Sequence, residues 1–201
     1  MDSKILMADG SVKYAEEIEV GDMLIGPDGK HKTVTDCYTD TLQLYNVKQS
    51  SGASYTVSEH SMLIVNVLNK HLFEHDNYGL LYNDDTKYWD ISVPNYLEMP
   101  QYLKNNLRGI RAGGPQLDKN ILFLRSTAEN ILDDPLQRFK VRGSPYLTTV
   151  NGPPHLNRIN TYTKITLAPL TNDEYVGFFL DGNRLYVNED YTVLYGGAYV
   201  M

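Results

Sequence analysis

Residues 5–30 read ILMADGSVKYAEEIEVGDMLIGPDGK, a run of short apolar stretches cut three times, at Asp9-Gly10, Gly21-Asp22 and Asp28-Gly29. Asp next to Gly readily supplies the positive φ that tight reversals demand, so this segment cannot continue as a helix and reads as β-strands folding back. The rhythm persists to about residue 68, with strands expected over 5–8, 12–18, 23–26, 33–38, 42–48, 54–57 and 62–68. A second β-block closes the chain, with strands expected over 163–167, 175–180, 185–187 and 192–195 and Asp181-Gly182-Asn183 as a hairpin turn between two of them. The expectation is a mainly β, strongly curved chain.

Between the blocks the pattern changes. Residues 94–107 place Tyr96, Leu97, Tyr102, Leu103 and Leu107 at mostly helical spacing, and Pro100 interrupts them, so one helix or two short ones are expected. Gly113-Gly114-Pro115 and the VNGPPH at 150–155 read as loops. Residues 126–140 open with Ser126 three before Glu129, a capping-box spacing, and Pro135 limits any helix there to about two turns.

Composition narrows the function. A chain of 201 residues, 42% hydrophobic, can bury a sizeable core and is expected to fold as one domain or one domain with an insertion. The formal charge of −7 and the pI near 5.2 argue against a nucleic-acid partner, because such affinity comes from clustered Lys and Arg, and no basic run is present. The single cysteine, Cys37, excludes an internal disulfide. Every apolar stretch is far shorter than the roughly 20 residues of a membrane helix, and no signal-peptide pattern opens the chain. An intracellular setting without membrane insertion is therefore expected. Sixteen tyrosines are many for this length and suit interfaces, since the ring offers contact area with a polar tip, although β-rich proteins favour Tyr in any case.

Other chemistry is weakly encoded. His71 and His75 are four apart, the spacing at which a helix presents two imidazoles to a metal, but LNKHLFEHDNYG adds no further soft ligand and reads as strand and loop, so solvated histidines and no metal are expected. Cys37 near His31 or His60 has the elements of an activated thiol, yet a lone Cys within a β-run is far more often core filling. No phosphate-cradling Gly loop or nucleophile elbow occurs.

Four segments occur in an order that resembles the Hint (hedgehog/intein) family. They are the opening ILMADGSVKYAEEIEVGD, YTVSEHSMLIV at 55–65, WDISVPNYLEMPQYLKNNLRG at 89–109 and YVGFFLDGNRLYVNEDYTVLYG at 175–196. The third is similar to the stretch that follows the first Hint segment in inteins of large DNA viruses and lower eukaryotes. The resemblance implies a horseshoe-like Hint β-fold with a small mixed, partly helical insert. Its N-terminal half would span 1–92, the insert 93–160 in place of an endonuclease, and its C-terminal half 161–201.

The same resemblance shows which family residues are missing. The family's N-terminal nucleophile would fall ahead of Met1, so no thioester is expected at the start. Its histidine block reads Thr or Ser, two residues, then His; here Thr56 precedes His60 by four and Ser58 by two, and the register is lost. Its His-Asn end, where the Asn cyclises to cut the chain, aligns with Tyr195 and Gly196. Arg184 stands for a supporting His and Gly177 for an Asp. The insert lacks the paired metal-binding acids of an intein endonuclease, Asp133-Asp134 being a faint echo.

No catalytic residue and no cofactor is therefore expected, with Thr56, Ser58, His60, Tyr195 and Gly196 as vestigial positions. The reading that follows is a non-enzymatic Hint domain acting as a structural or interaction protein in a larger assembly, such as a minor capsid protein of a large DNA virus, with other proteins as partners. The alternative is an intein or autoprocessing domain whose splice-junction residues have been removed or mutated. A third reading, an unrelated sugar- or peptide-binding β-domain, requires the block order to be coincidence.

Overall fold

The computed structural model describes residues 4–112 and 160–198. Its frame is a two-stranded ribbon in which β4 (His31–Gln49) and β11 (Ile165–Leu180) pair antiparallel from Ile165 opposite Gln49 to Leu180 opposite Val34. Register shifts at Pro169/Asn172 and at Phe179/Leu180 bend the ribbon, as bulges do by leaving residues unpaired on one strand. The sequence pattern breaks β4 in two around Thr39-Asp40-Thr41, but the strand runs straight through. Those polar residues face solvent where β11 supplies the backbone partners, so no turn is needed.

The opening strands are β1 (Lys4–Leu6), β2 (Val12–Tyr14) and β3 (Met23–Ile25), and the turns between them are those the Gly residues demand. Gly10, Gly21 and Gly29 all have φ between 79° and 95°. β3 adds to the ribbon beside β4, and β5 (Tyr55–Ser58) pairs with β4 near its end. A five-stranded sheet is built from β6 (Met62–Val67), β7 (Leu81–Asn83), β8 (Tyr88–Ser92), β9 (Leu107–Ala112) and β10 (Asn160–Thr163), in the order β10-β9-β6-β8-β7. The spacing of apolar residues does not announce β7 and β8, because the polar Asn83-to-Lys87 turn joins two very short strands.

Two short helices follow β8, as Pro100 requires: α1 (Val93–Glu98), capped by Ser92 Oγ accepting from Asn95 N–H at 3.2 Å, and α2 (Gln101–Lys104). Their inward residues Val93, Tyr96, Met99 and Leu103 are packed with Val47, Leu63, Val65 and Leu107 in the largest core cluster. The helices are thus part of the main hydrophobic core and not an appendage to it.

A hairpin of β12 (Leu185–Val187) and β13 (Val193–Tyr195) closes the described chain. Here the expected hairpin at Asp181-Gly182-Asn183 is corrected. Those residues do turn, with Gly182 at φ 63° and Arg184 at φ 65°, but β11 belongs to the ribbon and β12 pairs only with β13. Asp181 is held to Thr33, its Oδ1 accepting from Thr33 N–H at 2.9 Å, so the turn moves the chain from one sheet to another. The true hairpin turn runs from Asn188 to Thr192, with Tyr191 at φ 66°. The helix expected over 126–140 and Asp133-Asp134 lie outside the described residues.

Candidate functional site

Where β11 leaves the ribbon it faces β5, the start of β6 and the end of β13, and these strands enclose a cavity of about 410 Å³. Three of the five positions singled out from the resemblance meet there, Thr56 from β5 and Tyr195 with Gly196 from the end of β13, and Gly177 joins them from β11. Segments more than a hundred residues apart in sequence therefore converge on one concave surface.

The glycines are matched to large neighbours. Gly177 lies opposite Tyr38 across the ribbon, and a Cβ at 177 would overlap the Tyr38 ring. That ring also stands 6.3 Å from Tyr175 and 5.5 Å from Phe179, centroid to centroid, so it fills the space a side chain at 177 would need. Gly196 is buried, and a Cβ there would come within 2.5 Å and 2.6 Å of Leu180 side-chain carbons. Its backbone is fixed on both sides: Gly196 N–H donates to Arg184 O at 2.6 Å, and Leu180 N–H donates to Gly196 O at 3.1 Å.

The turn after β5 shows what spacing alone missed. Ser58 is fully buried; its N–H donates to Ser61 Oγ at 2.9 Å, the two hydroxyls are 3.3 Å apart, and Ser58 Oγ accepts from His60 N–H at 3.1 Å. Ser61, three residues after Ser58, lines the cavity and hydrogen-bonds the Tyr175 phenol, whereas His60 is not among the residues lining it. Of this turn, Ser61 is the side chain that faces the cavity.

The cavity wall combines aliphatic side chains with five phenols. Tyr38, Tyr55, Tyr175, Tyr186 and Tyr195 all line it, and Phe178 stacks near Tyr186 at 5.1 Å. Burial pushes the Tyr38, Tyr55 and Tyr186 phenols up, reinforced by one another and by nearby acids, and it pushes Tyr175 up against the opposing hydrogen bond from Ser61. All four are therefore neutral at physiological pH and act as hydrogen-bonding groups, not as bases. The rim carries Glu16, Asp173 and Glu174, all exposed. Among the described lining residues there is no His, Cys, Asn, Lys or Arg.

The remaining candidates lie elsewhere. Cys37 is half-buried opposite Phe178; burial raises its thiol pKa and its Sγ lies 3.6 Å from Ile18 O, the setting of a core-filling residue. His71 lies within a 3-10 turn, Lys70–Phe73, and its Nδ1 lies 2.7 Å from Glu74 in an exposed pair. Among the described residues no group of three His, Cys, Asp or Glu is placed to hold a metal, and no helix is long and apolar enough to cross a membrane.

Comparison with known proteins agrees with this geometry. Residues 1–79 match the family described as Hom_end-associated Hint. No curated protein matches the chain in sequence. Among solved structures, the fold is similar to the gp41-1 intein, with TM-score 0.51 and 10% identity over 96% of this chain and 94% of that one. It is similar to the MchDnaB-1 intein, with TM-score 0.52 and 9% identity over 97% and 96%. A DnaB intein from Synechocystis sp. PCC 6803 gives TM-score 0.51 and 9% identity over 96% and 94%. The chain thus has the Hint β-fold along its described length, and its first 79 residues match a Hint family model.

Proposed function

We propose that this protein is a Hint domain that no longer cuts or joins peptide bonds and that works as an interaction module in a larger assembly. The observation that carries the reading is Gly196. At the position where the family's Asn would cyclise there is no amide, and the Leu180 side chain occupies the space one would need. The absence of any imidazole among the described residues lining the cavity, and Gly177 beneath Tyr38 where the resemblance expects an Asp, support it, since such groups polarise the scissile bond. A Hint frame needs none of those groups to pack, because its core is formed by Leu63, Ile91, Leu103 and their neighbours. A place in a virus particle extends this reading and rests on the likeness of residues 89–109 to inteins of large DNA viruses.

The test is to express the chain between two soluble reporter proteins, with a cysteine placed ahead of Met1. One full-length polypeptide is expected on a gel over days of incubation. Release of either reporter, or appearance of the two joined, would favour the alternative of an autoprocessing domain with altered junctions. Cross-linking in the native extract should recover a stable protein partner; sedimentation there as a free monomer would overturn the interaction role.

A further inference from the structure

The cavity retains a recognition surface after losing its reactive groups, and its chemistry has one sign. Five phenol rings, Tyr38, Tyr55, Tyr175, Tyr186 and Tyr195, surround about 410 Å³ of space, within the range of pockets that hold small ligands. The exposed carboxylates of Glu16, Asp173 and Glu174 stand at its edge, and no cationic side chain is among the described lining residues. Aromatic faces attract a cation through the negative potential over the ring, the more strongly as water is excluded, and neutral phenols add oxygen acceptors for its N–H groups. The net charge of −7 draws such a group toward the protein.

We infer that this cavity takes the ammonium or guanidinium head of a Lys or Arg side chain presented by a partner protein. The inference rests on the reading of the domain as an interaction module, and it names the chemistry of the partner. An aliphatic stem would lie along Leu44, Leu63 and Leu194, with the charged head among the rings and the partner backbone crossing the acidic edge. A neutral side chain of the same length would gain the apolar contact without the cation–π and carboxylate attraction.

Calorimetric titration of the full chain at low salt tests this with three probes: a short peptide centred on Lys, the same peptide with norleucine, and free butylammonium. The Lys peptide is expected to bind about tenfold more tightly than the norleucine peptide, since a desolvated cation–π contact is of that size. Equal affinity of those two peptides, or no heat from either, overturns the proposal. Butylammonium binding as tightly as the Lys peptide overturns the protein side chain as the source and leaves a free amine in its place.

Two variants place the binding. Tyr38→Ala removes one ring of the wall and is expected to weaken the Lys peptide several-fold more than the norleucine peptide; equal weakening of the two overturns the cation–π contact. The double change Asp173→Asn and Glu174→Gln, both at exposed positions, is expected to weaken the Lys peptide several-fold and leave the norleucine peptide unchanged. An unaltered Lys affinity in that double variant overturns the acidic edge. If no peptide binds while the reporter fusion stays intact, the cation reading alone has failed. If the fusion is processed, the reading beneath it has failed.

Discussion

The two blocks of the chain meet at adjoining places that are held in different ways. Around the cavity, the β4–β11 ladder is joined by a fit of shape, the Tyr38 ring over Gly177, and within the C-terminal block the Leu180 side chain packs over Gly196 in the same way. Beside it, where β4 ends, contact is made by hydrogen bonds. Asp190 Oδ2 accepts from Ala53 N–H at 2.7 Å, its Oδ1 accepts from Thr192 Oγ1 at 2.6 Å, and Gln49 Nε2 donates to Thr192 Oγ1 at 3.1 Å. Ser50 and Thr163 hydroxyls sit 3.1 Å apart, and Ser51 N–H donates to Thr163 Oγ1 at 2.9 Å.

The difference teaches where the domain can vary. Of the polar contacts only the Gln49–Thr192 bond is buried, so a lost partner strands a group from water there, whereas at the exposed Ala53–Asp190 bond solvent can replace it. A shape-matched contact can be changed one pair at a time, small for large and large for small, as long as the volume is filled. Changes at the cavity therefore call for a compensating change in the facing side chain, and changes at the exposed polar bonds do not.

The contrast can be broken most forcefully at the network. Asp190→Ala removes the acceptor of Ala53 N–H and of the Thr192 hydroxyl, while Thr192 N–H keeps Asn188 Oδ1, and is expected to cost about 2 kcal/mol in urea unfolding. A loss under about 1 kcal/mol would mean that the seam is not what joins the blocks. Gly196→Asn, which places the family's residue back, is expected to cost about 2 kcal/mol by overpacking against Leu180, and most of that cost should vanish in a Leu180→Ala background.

Gly177→Ala should cost about 1–2 kcal/mol in the parent and much less with Tyr38→Ala, so a double-mutant cycle reads the fit of ring over glycine directly. The phenols sharpen the comparison through pH. Burial raises the folded-state pKa of Tyr38, Tyr55, Tyr175 and Tyr186, so their contribution to stability is complete below the unfolded phenol value of about 10 and is lost as pH rises above it. Unfolding monitored by phenolate absorbance should show these rings ionising with the loss of structure and not before it.

The smallest effect lies away from both regions. Burial pushes the Asp90 carboxyl up, against the opposing hydrogen bond from Asn83, so its charged form opposes folding at neutral pH. Asp90→Asn is expected to raise Tm by about 1–2 °C at neutral pH, with the gain disappearing below the unfolded carboxyl value of about 4.

Much of the frame is legible in the sequence because local chemistry dictates it. Gly10, Gly21 and Gly29 take the positive φ that their Asp-Gly and Gly-Asp settings predict, and Pro100 divides α1 from α2. What is hidden depends on distant partners. Thr39-Asp40-Thr41 resembles a break until β11 is laid beside it, and Asp181-Gly182-Asn183 resembles a hairpin until Thr33 is seen to hold it. At the site, the structure brings Tyr195 and Gly196, which the resemblance singles out, to one cavity with Thr56 and Gly177. That Ser61 lines it while His60 does not is set by the fold of the turn, which the sequence does not reveal. The tyrosine content divides between five that line the cavity and four with large exposed rings, Tyr14, Tyr82, Tyr102 and Tyr162.

The β4–β11 ribbon also sets a schedule for biogenesis. β4 is complete at Gln49, but the strand that covers it begins at Ile165. At ribosomal rates of about 5–20 residues per second, the longest strand of the nascent chain waits roughly 6–20 s for its mate. During that interval it presents a nineteen-residue edge able to pair with a neighbouring chain. Asp36 and Asp40 interrupt that edge with charge, and they guard it until the C-terminal block leaves the exit tunnel.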